Sequence, residues 1–256
     1  MSFSQDWLAL REPADLAARD ITLLWRVIAA AGENAVVLDL GSGTGSTARA
    51  FVDDACAAWT WRFIDGDAGL LDVAHTRHPS SECTVMNLRD IDDLPLDGVT
   101  LVTASALLDL MPHDWMCRLA ARLSEAAIPF YAALNYDGVM QWSPTFEADE
   151  AITRSFNAHQ QTDKGIGAAM GPLSGHLTSQ ILSENGFDVT LSDSPWQLGS
   201  EQADLHRQLI IGIGEAARQI DNPLAVDWAQ KRSANVTHSK AIIGHTDLLA
   251  VPRRPN

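Results

Sequence analysis

The residues best suited to chemistry fall early in the chain. Asp39-Leu40-Gly41-Ser42-Gly43-Thr44-Gly45 sets three glycines at alternate positions after an acid, and a second acid, Asp65, stands 24 residues after Gly41. Glycine tolerates positive φ and leaves the backbone bare, so a ligand can approach main-chain N–H groups closely. A helix opening there turns its free N–H groups toward a polar or anionic part of that ligand. An acid ending the following strand can accept hydrogen bonds from both hydroxyls of a ribose. The pair predicts a nucleoside-binding site. An ordinary turn followed by a capping Asp65 is the simpler account, but it leaves the order strand, turn, helix, strand, acid unexplained. A dinucleotide turn would read G-x-G-x-x-G, with its third glycine at position 46; that position is Ser46, which argues against a nicotinamide-dependent oxidoreductase.

Other candidates lie further along. Ile152, Phe156, His159 and Asp163 fall within roughly 60° of one another at 3.6 residues per turn. One helical face would then carry an apolar anchor, an imidazole and a carboxylate. These are candidate substrate contacts, with His159 as a possible general base; the alternative is a core histidine and a solvated acid. Asp109 follows a strand and is placed at the mouth of the cleft, as rim or as substrate contact. Arg11 is a candidate partner for a carboxylate, or a plain surface arginine. His113 suits a helix start better than catalysis. Trp142 and Trp196 would wall a planar substrate or fill a core. Lys164-Gly165-Ile166-Gly167 has the composition of a hinge. Cys56, Cys83 and Cys117 show neither metal-ligand nor disulfide spacing, so no metal is expected.

The elements that would hold these residues alternate. Helices are predicted from Glu12-Pro13 to Gly32, over Thr47–Ala58, Leu70–Thr76, Pro112–Glu125 and His176–Glu184, and as a pair in Glu201–Ser233 broken at Asn222-Pro223. Strands are predicted at 35–40, 59–64, 83–86, 99–104, 129–134, 187–191 and 242–251. Strands alternating with helices at this interval imply a parallel sheet covered on both faces. The late strands would add an antiparallel edge. The expectation is a doubly wound α/β fold with a mixed seven-stranded sheet, in a single domain over 1–256. An N-terminal helical segment (1–32) and two insertions, about 138–175 and 201–233, would form a lid, and no strand is expected between Asp137 and Gly175.

With acid-x-G-x-G-x-G after the first strand and Asp65 after the second, the chain resembles the class I, Rossmann-like family of S-adenosylmethionine-dependent methyltransferases. The resemblance covers roughly residues 35–134 and the rest in outline. It implies S-adenosylmethionine as cofactor and S-adenosylhomocysteine as product. It implies that Gly41, Ser42, Gly43 and Gly45 line the methionine and ribose portions, and that Asp39 holds nearby water and backbone amides. It further implies that Asp65 binds the ribose hydroxyls with Gly66 and Asp67 beside it. Asn87 and Leu88 would edge the adenine, with Asp90 as the matching residue in another register. Ala104 and Ser105 would lie beneath the methionine arm. The chain departs from the family in having Ala126-Ala127-Ile128-Pro129 where many members carry Pro-Gly-Gly, and it lacks the Asn-Pro-Pro-Tyr motif of nucleic-acid amino-methylating enzymes.

Charge bears on the substrate. Thirty-three acidic against eighteen basic side chains give a formal net charge of −15. Such a surface repels phosphate backbones, and the nearest approach to a basic cluster is Arg253-Arg254. No nucleic-acid or membrane partner is expected. Neither a signal segment nor an apolar run of about 20 residues is visible, so the cytoplasm is the expected compartment. The expected activity is methyl transfer to oxygen, nitrogen or carbon of a small metabolite. A non-catalytic S-adenosylmethionine sensor and a protein methyltransferase are the rivals.

Overall fold

The computed structural model describes residues 3–253; Arg254, half of the short basic pair, and the first two residues lie outside the described residues. Two helices open the chain, α1 (Gln5–Ala18) and α2 (Ile21–Ala31). Then come β1 (Val36–Leu40), α3 (Ser46–Arg49), β2 (Thr60–Asp65), α4 (Ala68–Arg77), β3 (Glu82–Val85) and β4 (Leu101–Ser105). The second half holds α5 (His113–Ala126), β5 (Phe130–Ser143), α6 (Asp149–Gln160), α7 (Ser174–Glu184), β6 (Phe187–Asp193), β7 (Trp196–Leu198), α8 (Ala203–Gln219), α9 (Ala225–Ala234) and β8 (Lys240–Pro252). The strands form one sheet in the order β3-β2-β1-β4-β5-β8-β6, with β7 pairing to β8. The first five run parallel; β8 is antiparallel to β5, β6 and β7. The sheet is the expected mixed, doubly wound one, with β7 as an eighth strand. Three residues are too few to show a period in sequence.

Burial explains the layers. In β1, Leu38 and Leu40 pack with Trp115, Leu119 and Leu123 of α5 on one face. Val37 points to the other face, against Leu23, Leu24 and Val27 of α2. Burial on both faces is what gives parallel strands their near-continuous apolar sequence. A separate core joins Tyr136 and Trp142 of β5 to Ile243 of β8, under Ile210 and Ile213 of α8 and Trp228 of α9.

Three local expectations are corrected. The first helix begins at Gln5, not at Pro13: Ser4 caps it by accepting from Trp7 N (3.2 Å), and Pro13 lies inside it. The Arg11–Asp15 pair spans the proline and offsets part of its cost. The helix predicted over Thr47–Ala58 is one turn followed by a 3-10 turn at Asp54–Cys56, because Asp53 takes Ala55 N–H (2.9 Å). And β5 runs on to Ser143, so the residues after Asp137 do contain strand.

That extension matters for the site. The β5–β8 pairing slips between Ala132 and Asn135 and again before Met140. Leu134 sits at φ +57 and Gly138 at φ +91 within these irregular stretches. Bulges bend a strand and re-aim its side chains. Buried Asp247 holds the first one, accepting from Leu134 N (2.8 Å), Ser194 Oγ (2.6 Å) and Tyr131 OH (3.1 Å).

Candidate active site

A cavity of about 830 Å³ opens beyond the carboxyl ends of β1, β2, β3 and β4. In an open α/β sheet this is where ligands bind, at the point where strand order reverses. Gly41, Ser42 and Gly43 form one wall, and Gly41, Gly43 and Gly45 all hold positive φ, at +62, +54 and +76. A Cβ at Gly43 would come within 3.1 Å of Leu8 on α1, so the turn and that helix are fitted to each other. Asp65 ends β2 and ties the turn: Gly43 N–H donates to Oδ2 (2.8 Å) and Asp67 N–H to Oδ1 (2.9 Å). Each oxygen keeps a further lone pair, so the carboxylate can still accept two hydroxyl protons.

Asp65, Gly66, Asp67, Asn87, Leu88, Ser105 and Arg11 line this cavity with Gly41 and Gly43. Asp90 does not, which favours Asn87 over the other register. Gly45 and Ala104 are corrections. Gly45 faces away, where a Cβ would meet His78 at 3.0 Å and Phe63 at 3.2 Å, and Ala104 is fully buried in the sheet. Asp39 is also buried beneath the cavity rather than lining it. It accepts from the Thr103 hydroxyl (2.7 Å) instead of from backbone amides. Burial pushes its carboxyl up to about 7 against that hydrogen bond.

Several contributors were invisible in the sequence. Arg49 donates to Thr44 O (2.8 Å) within the turn and pairs with Glu12 of α1 through Nε (2.5 Å) and Nη2 (2.8 Å). Arg49 beside it holds the Glu12 carboxyl below its ordinary value. Buried Arg19 donates to Ser105 Oγ (2.8 Å) and to Tyr131 OH (3.2 Å). A glycine motif advertises itself locally; these arginines become meaningful only once the chain has brought distant elements together.

A second cavity, about 500 Å³, adjoins the first: Phe3, Arg11, Ala106 and Leu110 line both. Its walls come from α1, the bulged part of β5, β8, α6 and α8. Trp196, Asp109 and His159 line it, as Trp142 and His113 do not. Trp142 instead stacks on buried His206 at 5.7 Å, and His113 is exposed at the start of α5. His159 is engaged at both ring nitrogens, by Gln219 Oε1 (2.9 Å) and by the Lys164 ammonium (3.3 Å). Because an ammonium only donates, Nδ1 acts as the acceptor and Nε2–H as the donor. No ring lone pair is left to take a proton from a ligand.

Asp163 is corrected outright. The helix stops at Gln160, so Asp163 is not on its face; it is exposed and lines neither cavity. Its Oδ1 accepts from Gly165 N (2.7 Å) and Gly167 N (2.9 Å), which holds the carboxyl below its ordinary value. The glycine pair expected to form a hinge is thus a capped turn, and it brings Lys164 and Ile166 to the first cavity. Asp109 is the reverse case. It is 7% exposed, its Oδ1 has no hydrogen-bond partner, and burial pushes it up to about 6 against the opposing charges of Arg11 and Lys164.

Among the described residues no group of three or more His, Cys, Asp or Glu is placed to hold a metal, and no helix is long and apolar enough to cross a membrane. No protein-family model matches the chain, and no curated protein matches it in sequence. Solved structures do match. A cyclopropane-fatty-acyl-phospholipid synthase-like protein from Lactobacillus casei ATCC 334 superposes with a TM-score of 0.59 at 12% identity, over 97% of this chain and 93% of that one. The cyclopropane synthase MmaA2 from Mycobacterium tuberculosis gives 0.53 at 11% identity, over 97% and 94%. A provisional methyltransferase from Bacillus halodurans C-125 gives 0.52 at 16%, over 93% and 99%. With this strand order and these neighbours, the chain has the Rossmann-like fold of the class I S-adenosylmethionine-dependent methyltransferases.

Proposed function

We propose that the chain is an S-adenosylmethionine-dependent methyltransferase acting on a small molecule. The observation that carries this reading is the junction of two unlike cavities. One is lined by the glycine turn and Asp65; the other is walled mostly by aromatic and aliphatic side chains; and Phe3, Arg11, Ala106 and Leu110 belong to both. A cofactor in the first and an acceptor in the second would meet there. A cavity of about 500 Å³ suits a metabolite rather than a polymer.

The residues present suit the cofactor. Asp65 offers a lone pair on each oxygen to the two ribose hydroxyls, and Gly41 and Gly43 let the turn pack closely against Leu107 and Leu8 at the cavity wall. Asn87 and Leu88 would border the base, and Ser105, held by Arg19 and Thr47, would border the amino-acid arm. When bound, the cofactor supplies an electrophilic methyl on a sulfonium. The protein's own work would be alignment and exclusion of water, which account for much of the rate in such transfers. Here α1 would do both, since Leu8 and Asp15 face the first cavity and Trp7 the second.

The test is calorimetric titration of the purified chain. S-adenosylhomocysteine is expected to bind saturably at one site per chain and NAD not to bind. Tighter binding of NAD than of S-adenosylhomocysteine would overturn the reading.

A further inference from the structure

We infer that the second cavity takes a small aromatic or aliphatic amine, and that the buried carboxylate of Asp109 pairs with its nitrogen. The inference rests on the methyltransferase reading and deepens it by naming the substrate class.

Charge and hydrogen-bonding capacity around the cavity select the ligand. Its ionisable lining residues are Arg11, Asp109, His159 and His245. Arg11 is neutralised by a bidentate pair with Asp15, at 2.8 and 3.0 Å. His159 has both nitrogens engaged, as described. His245 is 5% exposed, and burial depresses it to about 3, so the ring is neutral. What remains is Asp109, whose Oδ1 has no hydrogen-bond partner and which only the charges of Arg11 and Lys164 oppose, without a hydrogen bond from either. An unpaired carboxylate buried beside apolar walls is costly. The ligand that relieves it carries positive charge and N–H donors.

The walls agree. Tyr136 has its hydroxyl proton committed to Asn157 Oδ1 (2.7 Å), and Trp196 donates Nε1–H to Asp15 (3.0 Å). Neither ring therefore has a polar hydrogen left for a ligand; Phe156 lies edge-on to Tyr136 at 5.4 Å, and the Arg11 guanidinium already stacks on the Trp196 ring at 4.9 Å. Aromatic faces attract cations. A carboxylate, phenolate or other anionic acceptor would instead face Asp109 across a low-dielectric gap.

The position also suits the chemistry. Asp109 follows Ala106 by three residues and precedes Leu110, two of the residues at the junction where a methyl would cross. A bound ammonium would give one proton to the Asp109 carboxylate, freeing its own lone pair. That pair forms the new N–C bond as the C–S bond breaks and its electrons stay on sulfur. Positive charge thus moves onto nitrogen beside the aromatic faces, and the proton rests on Asp109. The raised value of that carboxyl makes it a better acceptor than an ordinary aspartate.

Titration of the full chain with 2-phenylethylamine, and with the size-matched acid 3-phenylpropanoate, tests this, each with and without S-adenosylhomocysteine. The amine is expected to bind at least about tenfold tighter than the acid, a difference of about 1.4 kcal/mol. Asp109→Asn should erase that preference while leaving S-adenosylhomocysteine affinity within about twofold, which also reports that the variant is folded. Equal or tighter binding of the acid, no amine binding, or a preference kept by Asp109→Asn would each overturn the proposal. The amine titration without S-adenosylhomocysteine needs no cofactor. An intact amine preference in a chain that does not bind S-adenosylhomocysteine would therefore support the amine site and overturn the cofactor assignment.

Discussion

Asp65 shows what a single residue can disclose and what it hides. Its place at the end of β2, after a glycine turn, is readable because strand, turn and acid are local features. That its two oxygens also brace the turn, through Gly43 and Asp67, is not. Asp65→Ala should therefore act twice, losing the proposed ribose contacts and loosening the loop that shapes them. Hydrogen bonds to a charged group contribute roughly 1.5–3 kcal/mol each, so S-adenosylhomocysteine should bind about 100-fold or more weakly. Calorimetry checks this, and unchanged affinity would move the ribose site elsewhere. Asp163 and Asp109 mark the opposite limit. Sequence spacing aligned Asp163 with a helix that had already ended, while the isolation of Asp109 depends on the packing of its 3-10 turn, Leu108–Leu110, against β5 and α7, which no local pattern encodes.

At the scale of elements, the parallel half was legible because β1 and β4 are buried on both faces, which gives them near-continuous apolar sequences. The misreadings came where tertiary contacts override local signals. Pro13 looks like a helix start, yet Ser4 and the Arg11–Asp15 pair carry α1 through it. Asp137-Gly138 looks like a turn, yet β8 keeps β5 extended around a bulge. Helix α1 lines both cavities, and Glu12 fastens it to Arg49 and hence to the glycine turn. Glu12→Ala should release that edge, since charge-assisted bidentate pairs are among the stronger polar contacts. The expected outcome is faster hydrogen exchange in residues 5–18 and several-fold faster dissociation of S-adenosylhomocysteine, with exchange in β1 and β4 unchanged. Equal exchange in α1 of both proteins would show that Asp15–Trp196 and packing suffice to hold it.

At the scale of the whole molecule, the core that joins β5 and β8 to α8 and α9 carries a pH liability. Beneath α8 and α9, His206 is fully buried, stacked at 17° to Trp142, and neither ring nitrogen has a hydrogen-bond partner. Burial, with a smaller push from Arg232, lowers it to about 4. The native ring thus stays neutral at pH values where the unfolded chain's histidine, with an ordinary value near 6.5, takes a proton. A lowered histidine makes folding weaken as pH falls from about 6.5 toward 4, by about 2 kcal/mol at pH 5. Asp39 and Asp109, raised to about 7 and about 6, act in the other direction, because the native carboxyls take protons before the unfolded ones do. Total stability against pH therefore mixes opposing contributions, and a single substitution is needed to separate them. His206→Phe keeps a flat ring against Trp142 and removes two unpartnered polar atoms. At pH 7.5 the variant should be as stable as the wild type or more so. Its loss of melting temperature between pH 7.5 and pH 5 should be smaller by about 4–8 °C, taking about 2–4 °C per kcal/mol for a chain of this size. Thermal melts at the two pH values decide it. An equal loss in both proteins would mean that His206 takes its proton in the native state as readily as in the unfolded chain.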